Sequence, residues 1–327
     1  SQTKSRFPSV LITSECSVPS GKYPLSLSSS FTLSAISTPP AICNSELDSE
    51  DIIDISQSLS NYDIDIIPIE IDPQKFDDKF PKDEQWSIEM YYRLLMGELL
   101  PSTVDRILYL DVDIIVNKSL EEFYNLDFGD IEIFATDDRS GNNAPSTYSR
   151  KHNDMFKQAY DHGYRYFNSG VMLMNFELLR SRYSFQTYVD AMEKWNFEMD
   201  APDQDILNWV HWRNIGYVDY KIYDYFSRVA HQNKVSYKTA KEQIAIIHFS
   251  GTKPWDYCNF HFDIEKIWWE YAQMTPYYDE ILEEFVEKAM IDTTIEKYFI
   301  EKIETNNKLK ETLNKTMELV KIRAKLI

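Results

Sequence analysis

Cysteine is scarce in this chain. Cys16, Cys43 and Cys258 are the 3 cysteines in 327 residues, far apart and odd in number. They exclude a disulfide framework and a cysteine-rich zinc site, and read as incidental thiols of a reducing compartment. Glycine is scarce too, with 8 residues, which excludes a collagen-like or glycine-rich low-complexity chain. No run of about 18 apolar residues occurs, so no transmembrane helix is expected. The first residues lack a compact apolar segment behind a basic one, so no secretory signal is expected either. The expected location is cytoplasmic. Positive charge is in short supply: 34 Lys and Arg stand against 53 Asp and Glu, a formal charge of −19. Such a surface argues against nucleic acid as a partner, because binding a phosphate backbone rests on Lys and Arg. It still allows a phosphate ligand at one local site, most readily where a cation sits.

What is present is enough for a folded core. Hydrophobic residues make up 43% of the chain, which excludes disorder, and the length allows one large domain or two small ones. Aromatic residues reach 14%, with 22 Tyr and 7 Trp. Such rings serve sugar-binding clefts, and equally ordinary cores and protein interfaces. No internal repeat is visible. Residues 1–60 are rich in serine; within them Val10 to Thr13 fits a first strand and Tyr23 to Ile36 a helix. Ile64 to Ile69 reads as a strand. Trp86 to Leu100 reads as a helix, with Ile88, Tyr91, Tyr92, Leu95 and Leu99 at helical spacing, stopped by Pro101. Arg106 to Val116 is the most strand-like run, aliphatic apart from two aspartates. Ile131 to Thr136, Val171 to Phe176 and Ile244 to Phe249 are further strands, separated by helical stretches at Arg150 to His162, Glu177 to Phe197 and Asp203 to Trp212. Strands alternating with helices predict an α/β sheet covered on both faces. After Trp255 the chain reads as mainly helical.

The sharpest chemical feature is Tyr109-Leu110-Asp111-Val112-Asp113. In an extended chain the carboxylates of Asp111 and Asp113 point to the same side. Two adjacent carboxylates in apolar surroundings need neutralising, and a hard divalent cation does this through oxygen ligands. Two solvated aspartates at a strand end are the plainer alternative. The second feature runs from Ile246 through His248, Phe249, Ser250, Gly251, Thr252, Lys253 and Pro254 to Trp255. A strand delivers a histidine able to ligate metal, then a glycine that lets backbone approach a ligand, then a lysine point charge for phosphate. A core histidine followed by a surface loop is the alternative. The third feature is Tyr166-Phe167-Asn168-Ser169-Gly170-Val171, and the fourth Pro202-Asp203-Gln204-Asp205-Ile206-Leu207. A helix N-terminus, with proline first and acids favoured by the dipole, accounts for Asp203 and Asp205 but gives no reason for Gln204.

Taken together, in this order and spacing, these segments and the stretch Ser87 to Leu94 resemble the family-8 glycosyltransferases. That family includes bacterial lipopolysaccharide galactosyl- and glucosyltransferases and glycogenin. The resemblance covers roughly residues 60 to 260. It implies an α/β GT-A fold, a Rossmann-like mixed sheet flanked by helices, in a catalytic domain of residues 1–260 (1–60 atypical), followed by a helical C-terminal extension over 261–327. It also implies a UDP-sugar donor, a Mn²⁺ ion (Mg²⁺ being the alternative) and retention of anomeric configuration. Position by position, Asp111, Asp113 and His248 match the family's metal ligands. Gly251 and Lys253 match groups on the donor diphosphate. Arg93, Asn168, Asp203, Gln204 and, after the strand ending at Thr136, Asp138 match positions lining the donor sugar. The sequence departs from the family's pattern near its start. Val10 to Glu15 resembles the opening strand, with Glu15 and Tyr23 as replacements in the nucleoside pocket, but Cys16 to Lys22 does not match. The serine-rich stretch before Asp51 does not look like the expected helix and strand.

The implied chemistry follows from charge. The ion would stabilise the departing UDP, Lys253 and the Gly251 backbone would add preorganised stabilisation, and the sugar would pass through an oxocarbenium-like state. Asp203 would orient sugar hydroxyls and Gln204 would lie near the reacting carbon. A carboxamide is a feeble nucleophile, which favours front-face attack by the acceptor; double displacement stays open. The expected acceptor is a glycan, lipid-linked or protein-linked. Two competing readings are an idle nucleotide-sugar-binding subunit of a glycan assembly complex and a metal-dependent phosphohydrolase. Finally, Leu309, Leu313, Met317, Val320 and Ala324 form one helical stripe in a basic tail. The tail could meet an anionic membrane face peripherally, pack on the domain, or pair with a second subunit.

Overall fold

A computed structural model describes residues 10–13, 40–44, 49–58, 67–76, 79–81, 88–139, 153–251, 253–256 and 262–291. Glu15, the expected helix from Tyr23 to Ile36, Ser87, Thr252 and the tail from Lys308 to Ile327 lie outside these residues. The chain divides into two compact units. One comprises Ser1–Pro254 with His261–Tyr278, the other Trp255–Phe260 with Asp279–Ile327.

The first unit is built on a seven-stranded mixed sheet, in the order β3-β2-β1-β4-β7-β6-β8. Its strands are β1 (Val10–Thr13), β2 (Pro40–Asn44), β3 (Ile67–Glu70), β4 (Arg106–Leu110), β6 (Ile133–Asp137), β7 (Phe167–Asn175) and β8 (Ile215–Tyr217). Strands β1 to β4 run parallel where they pair, and β7 is antiparallel to both β4 and β6. This topology brings the carboxyl ends of β1, β4 and β6 and the amino end of β7 to one edge of the sheet, where α/β proteins bind ligands. All nine residues of β7 are buried, as expected of a strand covered on both faces. A second, three-stranded sheet joins β5 (Ile114–Val116), β10 (Ile246–His248) and β9 (Tyr225–Phe226).

Two expectations fail instructively. The run Arg106 to Val116 is not one strand. It breaks after Leu110, turns through Asp111, Val112 and Asp113, and resumes as β5, antiparallel to β10 in the other sheet. Aliphatic character continues across the break, but two carboxylates cannot be carried through a buried ladder. The side chains of Asp111 and Asp113 therefore converge through a turn, and not by alternation along a strand. The serine-rich stretch before Asp51 does supply secondary structure: β2 pairs in parallel with β1 and β3, and helix α1 follows at Ser49–Ser58. Proline is tolerated at the first position of a strand, which is where Pro40 sits.

The helices that matter for the site are α2 (Tyr92–Leu99), entered through a 3₁₀ turn at Ile88–Tyr91, α3 (Pro202–His211) and the short α4 (Tyr220–Tyr223). Between β7 and α3 the expected long helix is two, Phe176–Arg182 and Phe185–Lys194. Tyr183 is extended, and Ser184 opens the second helix through a capping box with Thr187. Tyr91, Tyr92, Leu95, Tyr109, Phe167 and Met172 centre the larger core, which packs α2 and the helices after β7 on one face of the sheet. The expected helical stretch after Trp255 includes Lys266–Ala272 and Tyr278–Ile291. Among the described residues no helix is long and apolar enough to cross a membrane.

Candidate active site

The site is assembled at the sheet edge from four chain segments. At the end of β4 the Asp111 amide donates to the Gly170 carbonyl at 2.8 Å, which fixes the turn against the start of β7. Across that turn the Phe249 amide donates to the Asp113 carbonyl at 2.9 Å, and so ties the end of β10 to the second aspartate. Asp111, Asp113 and His248 each offer a ligand atom within 4.8 Å of the others. Two carboxylates and an imidazole suit a divalent cation that accepts oxygen and nitrogen together. The space is kept open by glycine: a Cβ on Gly170 would lie 2.6 Å from both Asp111 Oδ2 and His248 Cε1.

Each acid has a cation beside it. Lys253 Nζ contacts Asp113 Oδ2. Burial raises the Asp113 pKa, and the charges of Lys253 and His248 more than reverse that, leaving its carboxyl well below the usual range. Arg93, buried on α2, joins Asp111, Ser169 and Asp203. Its Nη2 donates to Asp111 Oδ1 at 3.0 Å, its Nη1 to the Ser169 carbonyl at 3.0 Å, and its Nε pairs with Asp203 Oδ2 at 3.1 Å. The guanidinium stacks 4.4 Å from the Tyr109 ring centroid, and the Tyr109 hydroxyl donates to Asp111 Oδ1 at 2.8 Å. Burial raises the pKa of Asp203; Arg93 opposes this and Asp111 adds to it.

Helix α3 begins at Pro202, at a position where a missing N–H costs nothing, and presents Asp203 and Gln204 in its first turn. The Gln204 carboxamide is bonded at both its oxygen and its nitrogen. Its Oε1 accepts from Asn168 Nδ2 at 3.1 Å and from the Ser169 amide at 2.9 Å, and its Nε2 donates to Asp138 Oδ2 at 3.3 Å. Asn168 Nδ2 also donates to Asp138 Oδ2 at 3.2 Å. Asp138, Asn168, Asp203 and Gln204 are all buried. A buried amide wired this way has a role that helix capping does not supply. Gly251 follows β10 with φ of 88°, a conformation that favours glycine.

The expected residues Arg93, Asp111, Asp113, Asp138, Asn168, Asp203, Gln204, His248, Gly251 and Lys253 thus gather at one edge. Sequence reading missed the residue behind the histidine. Asp224, at the C-cap of α4, accepts from His248 Nδ1 at 2.8 Å, and its other oxygen accepts from the Thr136 hydroxyl at 2.8 Å. Burial pulls His248 down, and facing Asp113 and Asp224 carries its pKa well above the usual value. A carboxylate behind a ligating imidazole fixes the tautomer and aims the other nitrogen. A lone Asp between Tyr223 and Tyr225 carries no periodic or motif signal that would have marked it.

Sheet topology defines an α/β fold with its candidate site at one edge of a mixed sheet, and the comparisons name the family. Residues 9–259 match the family described as Glycosyl transferase family 8, and the chain belongs to that family. It is 32% identical over 231 residues to the lipopolysaccharide 1,2-glucosyltransferase of Escherichia coli, 65% of this chain and 63% of that protein. It is 24% identical over 211 residues to the lipopolysaccharide 1,3-galactosyltransferase of Salmonella typhimurium, 64% of this chain and 61% of that protein. The match thus spans less than two thirds of the length of either curated relative. The crystal structure of galactosyltransferase LgtC, in complex with donor and acceptor sugar analogues, superposes with a TM-score of 0.62 at 21% identity, covering 81% of this chain and 94% of that one. The chain has the GT-A fold.

Proposed function

We propose that this chain is a metal-dependent glycosyltransferase. It moves a hexose, galactose or glucose, from a UDP-sugar to a glycan, lipid-linked or protein-linked acceptor with retention of configuration. The catalytic domain of this reading covers residues 1–260. The observation that carries the reading is the convergence of Asp111, Asp113 and His248, whose ligand atoms lie within 4.8 Å of one another. These three would hold Mn²⁺ or, as the alternative, Mg²⁺, and the bound ion supplies Lewis-acid stabilisation to the departing diphosphate.

The chain's own groups do the rest. Lys253, released from Asp113, and the left-handed turn at Gly251 meet the diphosphate. Arg93 holds Asp111 and Asp203 in register with each other, so the ion site and the sugar site keep a fixed separation. Asp138, Asn168 and Asp203 take the sugar hydroxyls. Gln204 Oε1 already accepts from Asn168 and from the Ser169 amide, which leaves it poorly placed to attack carbon. That supports front-face attack, with the acceptor proton passing to the leaving phosphate oxygen. An idle subunit has no need of Asp111, Asp113, His248 and Lys253 together, and their proximity supports the active reading. The test is slow hydrolysis of UDP-glucose and UDP-galactose without acceptor. It should require Mn²⁺ and fall by roughly 10² or more in Asp111→Asn and Asp113→Asn; full activity in EDTA would sink the reading.

A further inference from the structure

Arg139 and Arg165 have no part in the proposed donor contacts. Arg139 Nη2 pairs with the buried Asp137 at 2.6 Å, and Arg165 Nη1 lies 3.4 Å from the same oxygen. Two guanidiniums thus share one carboxylate, in a chain whose formal charge is −19. Each is laid on an aromatic ring: Arg139 sits 4.1 Å from the centroid of Tyr220, and Arg165 4.5 Å from that of Tyr217. The Tyr217 hydroxyl is itself clamped to the backbone of Arg165, accepting from its amide and donating to its carbonyl. Stacking of this kind occupies the guanidinium face and leaves N–H edges for an anion. Both side chains reach solvent, with 29% of Arg139 and 43% of Arg165 exposed.

The position of this corner says what it faces. Asp137 adjoins Asp138, which bonds Asn168 and Gln204. Tyr220 opens α4, whose C-cap Asp224 holds His248. The corner is therefore tied to the candidate site through the chain neighbours Asp137 and Asp138 and through α4. The diphosphate is matched elsewhere, by Lys253, Gly251 and the ligand triad. An acceptor is the remaining molecule that must approach.

We propose that Arg139 and Arg165 form an acceptor subsite for the anionic group, phosphate or carboxylate, of a charged glycan. The inference rests on the glycosyltransferase reading and adds the acceptor's charge to it. The experiment uses the full chain with Mn²⁺ and UDP, and three probes: neutral maltotetraose, singly phosphorylated maltotetraose and tetragalacturonate. At least one charged probe should bind about tenfold or more tightly than the neutral one, as expected of a charge-assisted contact. The preference should weaken with salt. Whichever charged arm shows it names the anion. Arg165→Ala leaves Asp137 paired with Arg139, so its fold should survive, and a retained Mn²⁺-dependent melting shift with UDP checks this. It should erase most of the preference, and Arg165→Lys should keep part of it. Equal binding of charged and neutral probes, or a preference unchanged in Arg165→Ala, overturns the subsite while UDP binding leaves the parent reading standing. A wild-type chain that fails to bind UDP with Mn²⁺ overturns the parent reading, and this inference with it. If Arg165→Ala loses binding to phosphatidylglycerol vesicles but keeps the glycan preference, the corner meets lipid headgroups and the proposal is wrong.

Discussion

Asp224 accepts a hydrogen bond from His248 Nδ1 at 2.8 Å and thereby turns the opposite ring nitrogen toward Asp113, 3.2 Å away. The second Asp224 oxygen is held by Thr136 at 2.8 Å, so the carboxylate is fixed at both ends. Partners of this kind typically change metal affinity by 10- to 100-fold without touching the ion. Asp224→Ala should therefore weaken Mn²⁺ binding by roughly that factor. Asp224→Asn, whose amide oxygen can still accept from Nδ1, should lose less. Titration calorimetry with Mn²⁺ and UDP reads the affinity directly. Equal Mn²⁺ affinity in wild type and Asp224→Ala would deny Asp224 a positioning role.

Gly170 separates the two halves of the ligand triad. Its absent Cβ would stand 2.6 Å from Asp111 Oδ2, 2.6 Å from His248 Cε1 and 2.9 Å from Asn168 Oδ1. These are side-chain atoms, so the backbone can survive the substitution, but Arg93 and Tyr109 pin Asp111 while Asp224 pins His248. Gly170→Ala should fold at a cost of about 1–3 kcal/mol, as for an overpacked core, and lose about 10²-fold in turnover, the scale of a misplacement near 1 Å. A variant with wild-type kinetics would mean that the triad is not used as a unit.

The residues of the candidate metal cluster were legible in the sequence because their chemistry is conspicuous against aliphatic neighbours: Asp111 and Asp113 interrupt a strand-like run, and His248 ends one. What joins them was not legible. Asp111 and Asp113 mark the break after Leu110, but nothing local announces that the chain resumes as β5 in the second sheet. Asn168 and Ser169 are polar, and β7 reads as starting after them, yet both are buried strand residues satisfied by Gln204 from 36 and 35 positions away. The Arg139 and Arg165 corner depends likewise on Asp137, Tyr217 and Tyr220 from separate elements. Pairings set by tertiary approach leave no periodic trace.

In the proposed function Gln204 and Lys253 divide the donor between them, and their variants should fail differently. Lys253 is a partly exposed point charge on Asp113. Lys253→Ala should weaken UDP and UDP-sugar alike, by about tenfold or more, since both carry the diphosphate. Gln204 sits among Asn168, Ser169 and Asp138, the proposed sugar side. Gln204→Ala should lower turnover far more than UDP affinity, and should cost about 1–3 kcal/mol of stability because the buried Ser169 amide loses its acceptor. Calorimetry with UDP, set beside turnover of the UDP-sugar, separates the two. The same pattern in both variants would refute this division.

The far end of α3 is held by a second buried acid, and it makes stability depend on pH. Glu132 accepts from Arg182 Nη1 at 2.6 Å, Asn214 Nδ2 at 3.0 Å and the Tyr183 hydroxyl at 2.9 Å, and pairs with His211 Nδ1 at 2.8 Å. Burial raises the Glu132 pKa, and the bonds from His211 and Arg182 more than reverse that, leaving it lowered. Burial lowers the His211 pKa, against the pull of Glu132. Both shifts act in the same direction. A depressed folded-state value means that the unfolded chain takes up the proton first, so stability is fully present above the unfolded pKa and is lost as pH falls. With ordinary values of 6.5 for His211 and 4.5 for Glu132, the loss should begin below pH 6.5 and steepen below 4.5. Glu132→Gln breaks a buried charged network and should cost about 3 kcal/mol or more at neutral pH. His211→Gln should flatten the decline between pH 6.5 and 4.5 and leave the steeper part. Urea unfolding across that range, taken as the difference between wild type and variant, cancels His248, whose pKa is shifted the other way. A His211→Gln difference that does not change between pH 7 and 5 would show that this pair does not set the acid limit of the fold.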